Sequence, residues 1–223
     1  PPPPPATREV AVKRLPGRMG TIGRSERRAI AEETLEVLKT GTYRVQIHPG
    51  TRESLVDIAD ALRAAADATV LIDATEDLQN CDGHEAVALP AEGVAAIVEV
   101  TCETSLQAGK RLSGEGGNEG DVCILNFASA KNPGGGFQGG AQAQEESLAR
   151  SSGLYTCLVA HMHDFYAVHR RNPGGGFYSD AMLYSPRVPF FRDDDGQFCE
   201  PWSASVITSP APNAGVAGRA CTR

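Results

Sequence analysis

The stretch DVCILNFASAKNPGGGFQGGAQAQEESLARSSGLY, from Asp121 to Tyr155, constrains this chain more than any other. It opens on a short, nearly continuous apolar run, Asp121–Phe127. Such a run suits a strand buried on both faces of a sheet, which requires helices on both sides. Gly134, Gly135, Gly136, Gly139 and Gly140 follow, and the pattern predicts a helix from about Ala141. Glycine carries no Cβ, so the backbone can take positive φ and a ligand can approach it closely. Several N–H groups can then converge on an anion beside a helix N-terminus. The loop has no G-K-[ST] ending, and its glycine spacing is not that of a dinucleotide fingerprint. Taken alone it reads equally well as a loop that needs tight turns.

The carboxylates behind the loop sharpen that reading. Gln144, Glu145 and Glu146 fall in the first turn or two of the helix, close to whatever the glycines hold. Adjacent helical residues point about 100° apart, since a turn takes about 3.6 residues. The two glutamates therefore serve different purposes: one faces the pocket, while the other reaches its rim or anchors a hydroxyl. The plain alternative is that both complement the helix dipole.

Around this segment the chain alternates strands and helices. Ser25 is placed to cap a helix to about Lys39, with Ile30, Thr34, Leu35 and Leu38 on one face and Gly41 as its stop. Tyr43–Ile47 reads as a strand and Glu53–Ala66 as an amphipathic helix through Leu55, Ile58, Leu62 and Ala65. Val94–Val100 reads as a strand and Glu103–Leu112 as a helix. Ala181–Tyr184, Val188–Phe191 and Ser203–Thr208 are further short strands. The order points to an α/β or mixed three-layer domain.

A length of 223 residues suits one domain. Pro1–Pro5 opens a flexible, Pro-rich and basic arm, residues 1–24, before a domain spanning 25–223. The basic cluster after the proline run, Lys13, Arg14, Arg18, Arg24, Arg27 and Arg28, reads as a solvated tail. The net charge of −7 argues against direct binding of nucleic acid, which needs a basic face. The six cysteines include no C-x-x-C pair, so neither a zinc site nor a disulfide framework is expected, and Cys123 and Cys157 read as small buried hydrophobes. No metal and no cofactor are expected. His161, His163 and His169 lack a matching ligand set and read as surface residues. No apolar run is long enough to span a membrane and no signal-peptide core is visible, so a reducing cytoplasm is the default.

The order Gly134-Gly135-Gly136, seven residues, Gln144-Glu145-Glu146 resembles the GGG-x(6–8)-QEE signature of poly(ADP-ribose) glycohydrolases. The flanks NPGGGF and QEESLARSSGLY resemble the bacterial and fungal branch of that family. The likeness continues through Tyr178-Ser179-Asp180, Tyr184–Pro189, Phe191-Arg192-Asp193 and Pro210–Asn213, so it runs from about Arg24 to the C-terminus. It implies a macrodomain-like α/β/α sandwich around a mixed central sheet. It also implies exo-acting hydrolysis of ribose–ribose bonds in poly(ADP-ribose), releasing ADP-ribose, with a part in the DNA damage response. ADP-ribose, its polymer and poly(ADP-ribosyl)ated proteins are the implied partners of a monomeric enzyme.

By the same resemblance, Gly134–Gly136 hold the diphosphate and distal ribose, and Asn132 and Asn126 bond the ribose beside the scissile bond. Gln144 and Glu145 position the polymer, Glu146 is the acid and then the base, and Phe137 covers the site or packs in the core. Glycoside cleavage passes through an oxocarbenium-like state, so the leaving oxygen needs a proton and the cation needs negative charge nearby. A helix dipole opposes an acid role by about 0.3–1 kcal/mol, whereas burial raises a carboxyl by up to ~3–5 pKa units. The family continues past the PAPN motif with a second loop over the diphosphate and an aromatic residue at the adenine. Neither is visible in this sequence, so the expectation is a sequence that is incomplete here, the alternative a pocket lacking that half. The second NPGGGF, Asn172–Phe177, is followed by no acidic helix start and reads as a surface turn. A non-catalytic ADP-ribose reader is the alternative, with a hydrolase of single ADP-ribose marks as a third possibility. A reader has no need of the paired glutamates.

Overall fold

The structure, a computed structural model, describes residues 22–46, 52–73, 98–114, 122–171 and 178–211. The Pro-rich arm up to residue 21, the 94–97 part of the expected strand, the second NPGGGF and the end of the PAPN motif lie outside the described residues.

Helix α1 runs Arg24–Thr40. Gly23, not Ser25, holds the N-cap position, and no side chain bonds the first turn. Gly41 ends the helix at φ 75°, and its N–H reaches Val37 O at 2.8 Å. A Cβ there would come within 2.5 Å of Ala59 Cβ, so only glycine lets the chain turn this close to the next helix.

Strand β1 (Thr42–Val45) pairs antiparallel with β2 (Ser54–Asp57), and helix α2 follows at Ala59–Asp67. The expected helix over 53–66 thus opens as a strand, Ser54–Asp57, and is helical only from Ala59. Asp57 explains the switch, because its Oδ1 accepts the Ala59 N–H at 2.9 Å and starts the helix there. Leu55 fitted the helical pattern but lies exposed on β2. Residues 98–100 form no strand, and Val98 and Val100 are exposed. Helix α3 spans Ser105–Gly114, after a reciprocal cap in which the Gln107 N–H donates to Thr104 Oγ1 and the Thr104 N–H to Gln107 Oε1.

The central sheet has the order β3-β5-β6-β4, formed by Val70–Ile72, Met182–Arg192, Phe198–Pro210 and Cys123–Ala128. β3–β5 and β5–β6 are antiparallel and β6–β4 parallel, so the sheet is mixed as expected. The two short strands expected near 181–191 are one strand, irregular between Ser185 and Val188. Helices α4 (Gln144–Ser151) and α5 (Leu154–Ala160), a π-turn (Met162–Tyr166) and α6 (Ala167–Arg171) complete the order.

The main core joins Leu148, Leu154 and Leu158 of α4 and α5 to Leu183, Val188, Phe190 and Val206 of the sheet. A second cluster packs Val37, Tyr43, Leu62 and Phe191, tying α1 and α2 to the end of β5. Strand β4 departs from expectation. Ile124, Asn126 and Ala128 are buried, but Cys123, Leu125 and Phe127 are exposed. Among the described residues only one face of β4 is covered, and Cys123 is not the buried hydrophobe expected, whereas Cys157 is. His169 is also buried: its ring bonds Phe165 O and Ser179 Oγ, each at 2.9 Å, so it is not a surface residue.

Candidate active site

Strand β4 delivers the chain to the loop at Ser129. The loop then winds through successive tight turns: Gly135 N–H to Asn132 O, Phe137 N–H to Gly134 O, and Gly139 N–H to Gly136 O. Gly134 and Gly135 are both left-handed, at φ 68° and 59°. A short 3-10 turn, Phe137–Gly139, and left-handed Gly140 lead into α4. The ring of Phe137 is buried beneath the loop against Ala31, Ala149 and Tyr155. The ring is only 1% exposed, so here it packs in the core.

The glutamates grip this loop from behind. Glu145 Oε2 accepts the Ser129 N–H at 2.7 Å, and Glu146 Oε1 accepts the Gly136 N–H at 2.9 Å. A Cβ on Gly135 would lie 2.4 Å from Glu146 Oε1 and 3.0 Å from Glu145 Oε2, so both carboxyl groups crowd the bare Cα of this glycine. Each carboxyl keeps one buried oxygen, Glu145 Oε1 and Glu146 Oε2, without a hydrogen-bond partner. Loop N–H groups expected to meet an anionic ligand are thus engaged by the protein's own carboxyl groups.

Glu145 is the more deeply buried of the pair, at 4% exposure. Burial pushes its carboxyl up to about 7 against the lowering bond from the Ser129 N–H, and the neighbouring charge of Glu146 adds to the rise. Asn126, fully buried on β4, donates from Nδ2 to Thr208 Oγ1 at 3.2 Å and leaves Oδ1 unpartnered. Asn132 is exposed on the loop, and its N–H reaches Ser129 Oγ at 3.2 Å.

Gln144 lies with this group but turns to the sheet. Its Oε1 accepts the Phe127 N–H at 2.9 Å, while Nε2 donates to Leu125 O at 2.6 Å and to Ser105 Oγ at 3.2 Å. One amide thereby does for β4 what a neighbouring strand would do, and it clamps the first residue of α4 to the strand that leads into the loop.

Sequence reading missed several contributors. Arg24 and Arg27, expected in a solvated arm, donate from Nε to Gly139 O at 3.0 Å and to Gly140 O at 2.9 Å. Arg28 makes no bond to the loop and pairs with Glu32 instead. Arg150 donates to Ala141 O and Gln142 Oε1, and Thr34 Oγ1 donates to Arg150 O at 2.6 Å, which fastens α1 to α4. Local spacing carries no signal for the bonds of Arg24, Arg27 and Thr34, which join residues more than 100 positions apart. A cavity of about 530 Å³ on the α1 and α3 side of α4 is lined by Arg27, Thr104, Gln144, Ser147, Arg150 and Asp194, and neither glutamate lines it.

Fold and site together define a macrodomain-like mixed α/β domain in which a glycine loop is buttressed by two successive glutamates. Residues 31–193 match the family described as "Microbial-type PARG, catalytic domain", and the chain belongs to that poly(ADP-ribose) glycohydrolase family. Solved structures agree. Poly(ADP-ribose) glycohydrolase of Thermomonospora curvata bound to the inhibitor ADP-HPD is 45% identical, with a TM-score of 0.71 over 84% of this chain and 63% of that one. The same enzyme in a further structure gives 43% identity and a TM-score of 0.73 over 87% and 70%. The enzyme of Deinococcus radiodurans in complex with ADP-ribose gives 38% and 0.58 over 78% and 62%. The present chain therefore spans under two thirds of the length of the first of these. No curated protein matches it.

Proposed function

We propose that this chain hydrolyses ribose–ribose glycosidic bonds in poly(ADP-ribose), acting from the polymer end and releasing ADP-ribose. One observation carries the assignment: Glu146 is anchored through Oε1 on Gly136 N–H while its buried Oε2 has no partner. A carboxyl held by one oxygen presents the other in a defined position for proton transfer. In this reading Glu146 protonates the leaving ribose oxygen, its carboxylate then faces the oxocarbenium-like centre, and it finally takes a proton from the attacking water.

Glu145 has a different task. Its carboxyl, pushed up to about 7 by burial, is neutral in a large fraction of molecules at neutral pH and can donate a hydrogen bond to a ribose hydroxyl. Asn126 and Asn132 bond the ribose next to the scissile bond, and Gly134–Gly136 shape the floor on which the distal unit rests. Gln144 acts on the polymer indirectly, by holding the turn that carries both glutamates. The raised Glu145 carboxyl also supports a second assignment, with Glu145 as the acid and Glu146 as the stabilising charge.

Among the described residues no helix is long and apolar enough to cross a membrane. We place the enzyme in the cytoplasm as a monomer acting on poly(ADP-ribosyl)ated proteins rather than on nucleic acid, and its polymer source in the DNA damage response.

Mass-spectrometric detection of ADP-ribose released from purified polymer tests the proposal, with wild type beside Glu146→Gln and Glu145→Gln. Release by wild type, abolished in Glu146→Gln and reduced but present in Glu145→Gln, is the expected result. The reverse order makes Glu145 the acid. A folded wild-type chain that binds ADP-ribose and releases none is a reader.

A further inference from the structure

The two flanks of the glycine loop differ in what their cations do. On the α1 flank, Arg24 and Arg27 are turned into the loop and engaged by the carbonyls of Gly139 and Gly140. On the Ser129–Asn132 flank, Lys131 and Arg170 meet at the surface: Arg170 Nε donates to Lys131 O at 2.7 Å. Arg171 is the next residue in α6, and all three side chains are exposed. None of the three forms an ion pair among the described residues, although the chain carries 28 acidic residues against 21 basic ones.

This flank lies on the carboxyl side of the site. Tyr166, four residues before Arg170, has its phenol pushed up by burial first, further by the charge of Glu145, and down by the charge of Arg170. Charge at Arg170 and charge at Glu145 are thus felt at one buried hydroxyl. The Nε bond to Lys131 O also orients the guanidinium. Beyond it, the group keeps one contact, 3.6 Å from Nη1 to Met162 Sδ. The remaining N–H groups form the planar fork that suits a phosphate, and the exposed Lys131 adds a second positive charge on the same flank.

We propose that Lys131 and Arg170, with Arg171 beside them, form a subsite for the diphosphate of the ADP-ribose unit adjoining the one being released. The subsite rests on the glycohydrolase reading of the loop and glutamates, and it accounts for how a chain of net charge −7 accepts a polyanion: the attraction is local.

The test uses two substrates: purified poly(ADP-ribose), and an aryl glycoside of ADP-ribose, which offers one scissile bond and no second diphosphate. For Lys131→Gln/Arg170→Gln, KM on polymer is expected to rise about 3- to 10-fold, as two exposed charge–phosphate contacts would give. Its increase with salt flattens, and KM on the aryl substrate changes by less than about twofold. Arg170→Lys, which keeps the charge but loses the Nε bond, is expected to fall between wild type and Arg170→Gln on polymer. An equal loss on both substrates, or an Arg170→Lys as impaired as Arg170→Gln on both, shows that the pair only braces the loop and overturns the subsite. If wild type cleaves neither substrate, the glycohydrolase reading itself fails, and the subsite with it.

Discussion

Glu145 and Glu146 leave the same turn of α4 and hold opposite ends of one loop, Glu145 through the Ser129 N–H and Glu146 through the Gly136 N–H. Neighbours on a helix point about 100° apart, and that divergence lets one turn span the loop. It also separates their surroundings, because Glu145 faces Asn126 and the core while Glu146 faces the bare glycines.

A buried acid with a raised pKa makes stability depend on pH. The Glu145 carboxyl takes up its proton near 7 when folded and near 4.5 when exposed, so the fold binds that proton more tightly. Its contribution is fully present below pH 4.5 and is lost as pH rises through 7. Urea titrations from about pH 4.5 to about pH 8 should show wild type losing up to about 3 kcal/mol relative to Glu145→Gln.

Gly135 is irreplaceable for two reasons at once. Alanine at φ 59° costs about 1–2 kcal/mol in backbone strain, and its Cβ would displace Glu146 Oε1 from 2.4 Å. Gly135→Ala should lower thermal stability by roughly that amount and abolish ADP-ribose release, even where the protein remains folded by circular dichroism.

Gln144→Leu removes the amide that bonds Leu125 O, Phe127 N–H and Ser105 Oγ. These groups are close to solvent, so water recovers part of the loss and the cost to stability is about 1–2 kcal/mol. Catalysis should fall further than stability predicts, because the turn carrying both glutamates is no longer clamped to β4. Comparing kcat with the unfolding midpoint separates the two effects.

Thr34→Val keeps the shape of a fully buried residue but deletes the bond to Arg150 O. Leaving that carbonyl unpaired should cost about 1–3 kcal/mol by chemical denaturation. The loop's geometry depends on α1 through Arg24 and Arg27, so ADP-ribose release should also weaken, though less than in Gly135→Ala.

Where local chemistry was decisive, sequence and structure agree. Helix α1 and its stop at Gly41 followed from periodicity and one left-handed glycine. The loop and the helix behind it followed from spacing, although the helix expected from about Ala141 begins at Gln144. Disagreement came where identical residue types serve either environment. Cys123, Leu125 and Phe127 are apolar yet exposed, so the alternation along β4 could not be read from hydrophobicity. Leu55 matched a helical stripe, but pairing of β2 with β1 took Ser54–Asp57 out of the helix.

By itself the sequence determined that a glycine loop would meet a helix with Gln144, Glu145 and Glu146 in its first turn or two. Positive φ and backbone hydrogen bonding are properties of neighbouring residues, and they are written in the order of the chain. Tertiary structure alone decided that Glu145 would be the buried carboxyl, that Arg24 and Arg27 would brace the loop, and that Phe137 would lie beneath it. Desolvation and long-range bonds depend on what packs from distant parts of the chain, and no local pattern records that packing.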